Sequence, residues 1–298
     1  MNFQAVFERG KAIYAASGAM LIAVSSIVHG LPLFMSARPK TPLRVLCIMA
    51  FDMLHRLRHA KSLPQARRRL LAALLDVGAC ANAAFDRKAC CRHECRMTLQ
   101  LLEEGGIGSS VAEYLQRLGD LESGRPRPGG EECQFQKVRL YREAVVRLSL
   151  GIVAATAGVS PCLDAGIRAT WGATDLNLLF RIAMQCQIID DVLDYSRDLA
   201  AGLPSFLTAC RSPSQATELT RLAALAYADD CNLPRTAVLL PLRSALFLVT
   251  TCTKLVSFLG RQIISPAPAS TGPPLTDRRC RSAAEAGVAL RCGSRNPC

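Results

Sequence analysis

The stretch CQIIDDVLDYSRD, residues 186–198, places four aspartates within thirteen positions of a chain whose formal net charge is +12. At about 100° per residue of an α-helix, the four aspartates and Gln187 fall on one face, within an arc of about 100°. Apolar side chains occupy most of the remaining circumference. The stretch therefore predicts a largely buried helix whose acidic stripe faces a cavity or a gap in the packing.

The whole chain predicts the same all-α class. Half of the 298 residues are apolar but only 5% are aromatic, and runs that alternate apolar with polar residues are few. Pro and Gly punctuation divides the chain into helical segments, roughly 3–28, 42–60, 64–84, 86–104, 109–122, 132–158, 164–200, 213–229 and 234–262. Helices of one character flank the loop at 122–132, so residues 1–264 are predicted to form a single helical domain.

Residues 265–298 differ in character, because they are rich in Pro, Arg, Ser and Cys and show no apolar period. This composition predicts a disordered tail. It is also the composition that an out-of-frame reading of GC-rich DNA gives, so a frameshifted C-terminus is a hypothesis that resequencing tests.

Fourteen cysteines are present, and most lie inside apolar helical patterns where Cys acts as a small apolar residue. We therefore expect a reducing, cytoplasmic compartment. The group Cys90, Cys91, His93 and Cys95 suggests zinc, but it lacks the second Cys/His pair at loop spacing that makes such motifs specific.

Two apolar segments bear on membrane contact. The run Ala12–Val28 is shorter than the roughly 20 residues of a span, and we expect a buried first helix there. The segment Thr236–Gly260 includes Pro241, Arg243 and Lys254, which favours a core or membrane-surface helix over a span. Peripheral membrane association and a homodimer both stay open.

Positive charge concentrates between Arg38 and Arg69, where nine Lys/Arg face one acid, Asp52, for a local balance of 9 − 1 = +8. A solvated surface is one interpretation, and contact with phosphate-bearing ligands or acidic lipid is another. Aromatic residues are not interleaved with these charges for base stacking, which argues against a nucleic-acid partner.

The acidic stripe of residues 190–198 needs compensation, because like charges three or four positions apart on a helix repel. Pairing with nearby arginines is one solution. Mg²⁺ is another, since it prefers oxygen ligands and is often held by one or two carboxylates together with substrate phosphates.

The order Q-x-x-D-D-x-x-D, followed by Asp198, Gly202 and Pro204, resembles the second aspartate-rich region of the class I isoprenoid synthases, as in trans-prenyl diphosphate synthases. The resemblance implies a helical bundle around a central apolar pocket and three Mg²⁺ ions that grip a prenyl diphosphate. It assigns metal binding and catalysis to Asp190, Asp191 and Asp194. It makes Asp198 an auxiliary metal ligand and Gln187 a substrate-binding residue.

A first acidic region is harder to find, because the N-terminal half has no DDxxD motif. The candidate lies at 74–94, where Asn82 and Asp86 stand four residues apart and share a helix face. They could contribute one or two metal ligands. The alternative is an ordinary Asp86 beside Arg87 and Lys88, with Asp76 as a capping residue.

Basic groups that hold a second diphosphate in chain-elongating relatives are also missing, since Gly202 is followed by Leu203 rather than Lys. A substrate with one diphosphate fits better, and Arg142 and Arg147 are candidates to hold it. Arg147 could instead pair with Glu143, four residues earlier.

We therefore expect a Mg²⁺-dependent, terpene synthase-like enzyme that ionises a linear prenyl diphosphate and cyclises or quenches the allylic cation. A prenyltransferase that joins this cation to an acceptor is the first alternative. A non-catalytic helical protein that binds lipid or a partner is the second.

Overall fold

The computed structural model describes residues 42–86, 92–127, 134–159, 174–230 and 236–264. In these ranges the chain forms α-helices and one short 3-10 helix without any strand, which confirms the all-α prediction. The helices are α1 (Pro42–His59), α2 (Gln65–Phe85), α3 (Arg92–Glu104), α4 (Gly108–Ser123), α5 (Phe135–Thr156), α6 (Thr174–Leu193), α7 (Tyr195–Ala201), α8 (Pro213–Ala228) and α9 (Leu240–Ile264), and the 3-10 helix Ala237–Leu239 precedes α9.

Most predicted helix boundaries agree with the structure to within a few residues. The main difference is that the predicted helix 164–200 is divided into α6 and α7 at Asp194. Backbone hydrogen bonds from Asp194 N–H to the Asp190 carbonyl (2.8 Å) and from Asp198 N–H to the Asp194 carbonyl (2.9 Å) continue the helical ladder through this point. The acidic residues therefore keep nearly helical spacing.

Three features predicted from the sequence lie outside the described residues. They are the first segment 3–28, the tail 265–298, and the cysteine and histidine group around residue 90, of which only the Cys95 side chain is described.

Helix α6 lies between two clusters of buried side chains. Leu178 belongs to one cluster, which α1, α2, α4 and α5 also line. Phe180, Met184 and Ile188 belong to the other, with Phe206 from the segment after α7. Each such side chain contributes about 1.5–3 kcal/mol when it is fully buried. Burial on two sides explains why α6 is apolar around most of its circumference.

The connection between α1 and α2 is held by a buried aspartate. Asp52, 4% exposed, accepts hydrogen bonds from Leu63 N–H (2.7 Å), Arg56 Nε (2.8 Å) and Arg68 Nη2 (2.8 Å). These donors lower the pKa of Asp52 against the opposing effect of burial, which raises it. Helix α1 ends at His59, and the next residue, Ala60, has a left-handed φ of 53°.

Several residues of the basic stretch 38–69 form internal ion pairs rather than a continuous cationic surface. Arg44 binds Asp76 (2.7 Å), and Arg58 binds Asp175 through two nitrogens (2.6 and 2.7 Å). Together with the pairs of Asp52, these contacts use much of the local positive charge to fasten α1 to neighbouring elements. Lys61, Arg67 and Arg69 are exposed, so the stretch combines ion-paired cations with cations that face solvent.

The described cysteines include one that is disulfide-bonded. Cys210 is in the bonded state, whereas the other described cysteines are free thiols. Burial raises the pKa of the Cys47 thiol to about 12, so this side chain acts as a small apolar core residue, as expected from its helical pattern.

Candidate functional site

Asp191, on the last turn of α6, is the most buried acid of the acidic segment, at 1% exposed. Its Oδ1 accepts hydrogen bonds from Gln187 Nε2 (2.9 Å) and Arg142 Nη2 (3.1 Å). Its Oδ2 accepts one from the backbone N–H of Phe206 (2.7 Å). These donors fasten α6 to α5 and to the segment that follows α7.

The two arginines predicted to bind substrate have different surroundings. Arg142 donates to Asp191 and, from the same Nη2 atom, to the backbone carbonyl of Pro204 (2.9 Å). Arg147 pairs with Glu143 (3.6 Å), and its guanidinium lies 4.0 Å from the centroid of the Phe180 ring. The structure therefore brings Arg142 to the acidic segment. Arg147 instead forms the ion pair with Glu143 that the sequence offers as the alternative.

Asp198 lies inward from the same stripe and is 8% exposed. Burial and the nearby Asp191 and Asp190 carboxylates raise its pKa to about 6, although Arg142 and Arg197 oppose the shift. Burial also raises the pKa of Asp191 despite its three donors. Negative charge at this end of α6 is therefore only partly compensated by the protein.

The remaining two aspartates lie closer to solvent. Asp190 is exposed, and Asp194 is partly exposed and forms an ion pair with Arg197. The acidic stripe thus runs from solvent at Asp190 to the interior at Asp191. This gradient agrees with the helical angles, which place Asp194 and Asp198 between these two.

The donor chemistry of this stripe fits a hard divalent cation in part. Among the described residues, no group of three or more His, Cys, Asp or Glu side chains is arranged to hold a metal ion. Asp191 already receives three protein donors, which leaves Asp190 and Asp194, one helical turn apart, as the accessible carboxylates. Two carboxylates completed by phosphate oxygens are a common way in which proteins hold Mg²⁺.

The first acidic region also has a protein partner. Asp86, directly after α2, accepts a hydrogen bond from Arg125 Nη2 (3.1 Å), and Arg125 pairs with Glu122 as well (3.4 Å). Asn82 is exposed. Sequence reasoning assigned neither Arg125 nor Glu122 to the site, because both lie near the predicted loop 122–132, forty residues from Asp86.

A cavity of about 610 Å³ lies between the first acidic region and the segment that follows the acidic stripe, and none of the four aspartates of the stripe lines it. Asp86, Glu122 and Arg125 line one side of it, and Gly202 and Pro204, which follow the acidic stripe, line the other. The cavity also borders Phe85, Arg127 and Leu203, so its wall combines apolar side chains with two arginines and two acidic residues. Pockets that bind small molecules commonly combine an apolar surface with a few polar groups in this way.

Hydrogen bonds connect this cavity with the acidic segment. The Tyr141 hydroxyl donates to Glu122 Oε1 (2.5 Å), and burial together with this carboxylate raises the pKa of Tyr141. Its neighbour on α5 is Arg142, which binds both Asp191 and the Pro204 carbonyl. Adjacent residues of α5 thus link the Glu122 side of the cavity to its Pro204 side.

Comparisons of the chain with protein-family models, with curated proteins and with solved structures find no match.

Proposed function

We propose that the protein is a Mg²⁺-dependent enzyme of the isoprenoid synthase type that ionises a linear prenyl diphosphate, in the manner of a terpene synthase. The observation that carries this proposal is the cavity next to the acidic segment. Asp86 and Arg125 lie on one side, and the segment directly after Asp190–Asp198 lies on the other. The resemblance of residues 187–204 to the second aspartate-rich region supports the same reaction.

Asp190 and Asp194 are the proposed cation ligands, because they are the most accessible carboxylates of the stripe. Asp198 would assist from a less exposed position. Mg²⁺ bound there would supply Lewis acidity to the departing diphosphate. Burial and the nearby Asp191 carboxylate raise the pKa of Asp198, and a cation bound beside it would relieve this repulsion.

The chain's own cations would orient the diphosphate. Arg127 is exposed at the cavity, and a guanidinium group can donate two parallel hydrogen bonds to phosphate oxygens. Arg125, which is paired with Asp86 and Glu122, would hold the wall of the cavity in place. Arg142 would act indirectly, because its guanidinium is already bound to Asp191 and to the Pro204 carbonyl. It would hold this wall of the cavity in place rather than contact the diphosphate. Arg147 is not part of this proposal.

Apolar side chains at the cavity would shelter the hydrocarbon part of the substrate. Phe85, Leu203 and Pro204 supply such a surface, and a volume of about 610 Å³ lies within the usual range of ligand pockets, roughly 300–1,000 Å³. Exclusion of water matters here because an allylic cation is otherwise captured by it.

The test is incubation of the full chain with C10 to C20 prenyl diphosphates and Mg²⁺. We expect release of diphosphate and formation of a hydrocarbon or an alcohol, with neither in EDTA. Absence of release from every donor would contradict the proposal.

A prenyltransferase is the second candidate, because the resemblance of residues 187–204 is to enzymes that transfer prenyl groups. Addition of isopentenyl diphosphate or another acceptor separates the two reactions. A transferase releases diphosphate from the allylic donor only when the acceptor is present, whereas a terpene synthase does not need it.

A further inference from the structure

Helix α9 exposes a row of large apolar side chains. Phe247, Leu248, Leu255, Phe258 and Leu259 are 75%, 63%, 59%, 61% and 50% exposed, respectively. At about 100° per residue they fall within an arc of about 120° on one side of the helix. Scattered single apolar residues are normal on protein surfaces, but a continuous row marks an interaction surface.

The opposite side of α9 is firmly packed. Leu242 and Leu246 are 1% and 3% exposed and belong to the core, and Thr253 is buried against α6, where its hydroxyl lies 3.5 Å from the Gln185 carbonyl. Arg243 forms an ion pair with Asp230 at the start of the helix. The exposed row therefore belongs to a helix that is fixed in the bundle along much of its length.

The length and composition of this part of the chain also satisfy the requirements of a membrane span. Ala237–Gly260 is the one stretch among the described residues with this property, and 33% of it is buried. Because α9 packs lengthwise on α6 and α8, crossing a bilayer would separate it from both. Contact through one face at the membrane surface requires no such separation.

Charge decides between a membrane and a second copy of the chain as the occupant. Helix α9 contains Arg243, Lys254 and Arg261 but no Asp or Glu. Lys254 is exposed at the edge of the apolar row. Arg243 is already paired with Asp230, so Lys254 is the cation at the edge of this row. A second α9 helix would offer Lys254 no carboxylate, whereas anionic lipid headgroups supply the missing negative charge.

A groove of about 290 Å³ between α8 and α9 adjoins the same surface. Leu225 and Phe258 line it together with Lys254, and the buried hydroxyl oxygens of Thr250 and Ser257 have no hydrogen-bond partner in the described structure. The groove thus places apolar walls, polar groups and a cation side by side, which matches the layering of a lipid at the membrane interface.

We propose that the outer face of α9 docks the protein onto an anionic membrane surface, with the Phe and Leu row at the acyl boundary and Lys254 at the headgroups. This inference is independent of the proposed reaction, because it uses neither the acidic stripe nor the cavity.

Flotation of the full chain with lipid vesicles in EDTA tests the proposal without any contribution from metal binding. We expect binding to phosphatidylcholine vesicles that contain phosphatidylserine, and much weaker binding to phosphatidylcholine alone. Leu248→Glu with Leu255→Glu should reduce the anionic binding about tenfold or more, since two side chains leave the interface. Lys254→Glu should reduce it several-fold and leaves the apolar row intact.

The matched control is Leu46→Glu with Leu140→Glu, which replaces two leucines of similar exposure, each 56%, on α1 and α5. This control should bind like the unaltered chain, and circular dichroism should show the same helical content for all variants. Failure of the unaltered chain to float with anionic vesicles would overturn the proposal, as would equal losses in the two double variants. If the unaltered chain forms a dimer without lipid and the variant Leu248→Glu with Leu255→Glu is a monomer, the surface would instead bind a second copy of the chain.

Discussion

Two buried aspartates in this protein have nearly the same contacts and opposite electrostatics. Asp52 on α1 and Asp191 on α6 each accept a hydrogen bond from a side chain four residues away on the helix, from a more distant arginine and from a backbone N–H in a following loop. The pKa of Asp52 is lowered, whereas that of Asp191 is raised.

At Asp52 the two arginines and the Leu63 N–H outweigh the effect of burial, whereas at Asp191 burial outweighs the donors. Two arginines face Asp52, while one arginine and a neutral glutamine face Asp191, with Asp190 and Asp198 close by. Asp52 therefore stabilises the fold as an ion pair, whereas burial and, to a smaller extent, the nearby Asp190 carboxylate disfavour the charged form of Asp191. Carboxylates whose pKa is raised in this way are often found at sites that bind a cation or carry out chemistry.

The largest expected effect is the loss of stability on neutralising Asp52. Asp52→Asn leaves two arginines at the α1–α2 junction without their carboxylate and should cost about 3 kcal/mol. Asp191→Asn should cost only about 1 kcal/mol, because loss of repulsion from its acidic neighbours offsets part of the lost hydrogen bonding. Urea unfolding at pH 7 in EDTA measures both, and equal costs would remove the distinction between the two sites.

Asp198 gives the comparison a pH dependence. Its folded pKa of about 6 lies above the ordinary value of 3.8, so the folded state favours the protonated form, and stability falls as pH rises between these values. Asp198→Asn should therefore raise the free energy of unfolding by about 1 kcal/mol at pH 7 and leave it unchanged near pH 4. A loss of stability at pH 7 in EDTA would contradict the assigned charge excess.

The smallest expected changes in stability come from the loops that carry the backbone donors of Asp52 and Asp191. Both begin with a left-handed residue, Ala60 with φ 53° and Gly202 with φ 63°, but only the second is glycine. Ala60→Gly should stabilise the protein by about 0.5 kcal/mol, and Gly202→Ala should destabilise it by about 1 kcal/mol.

Nothing lies within 4 Å of a Cβ added at Gly202, so its cost would be one of backbone conformation alone. Gly119→Ala is the control, because this helical glycine also has open space at Cβ and its replacement should be neutral or stabilising. Thermal unfolding compares the three variants. If Gly119→Ala were as destabilising as Gly202→Ala, the left-handed φ of Gly202 would not be the cause of its loss of stability.

Periodicity was sufficient to predict the helices and the acidic stripe, because both depend on local sequence spacing. The angles around α6 even order its aspartates from exposed Asp190 to buried Asp191. The partners of those acids could not be predicted in this way. Arg125 reaches Asp86 across 39 residues and Arg142 reaches Asp191 across 49, and no local pattern indicates which arginine meets which acid.

Release of diphosphate by the variant Asp190→Ala with Asp194→Ala tests the proposed site most directly. Both the unaltered chain and a control with two exposed carboxylates removed elsewhere, Glu104→Ala with Asp120→Ala, should release diphosphate from prenyl diphosphates in Mg²⁺. The site variant should lose activity by about 100-fold or more, because it lacks the two accessible cation ligands of the stripe. Turnover by the site variant equal to that of the control would contradict the assignment of Asp190 and Asp194.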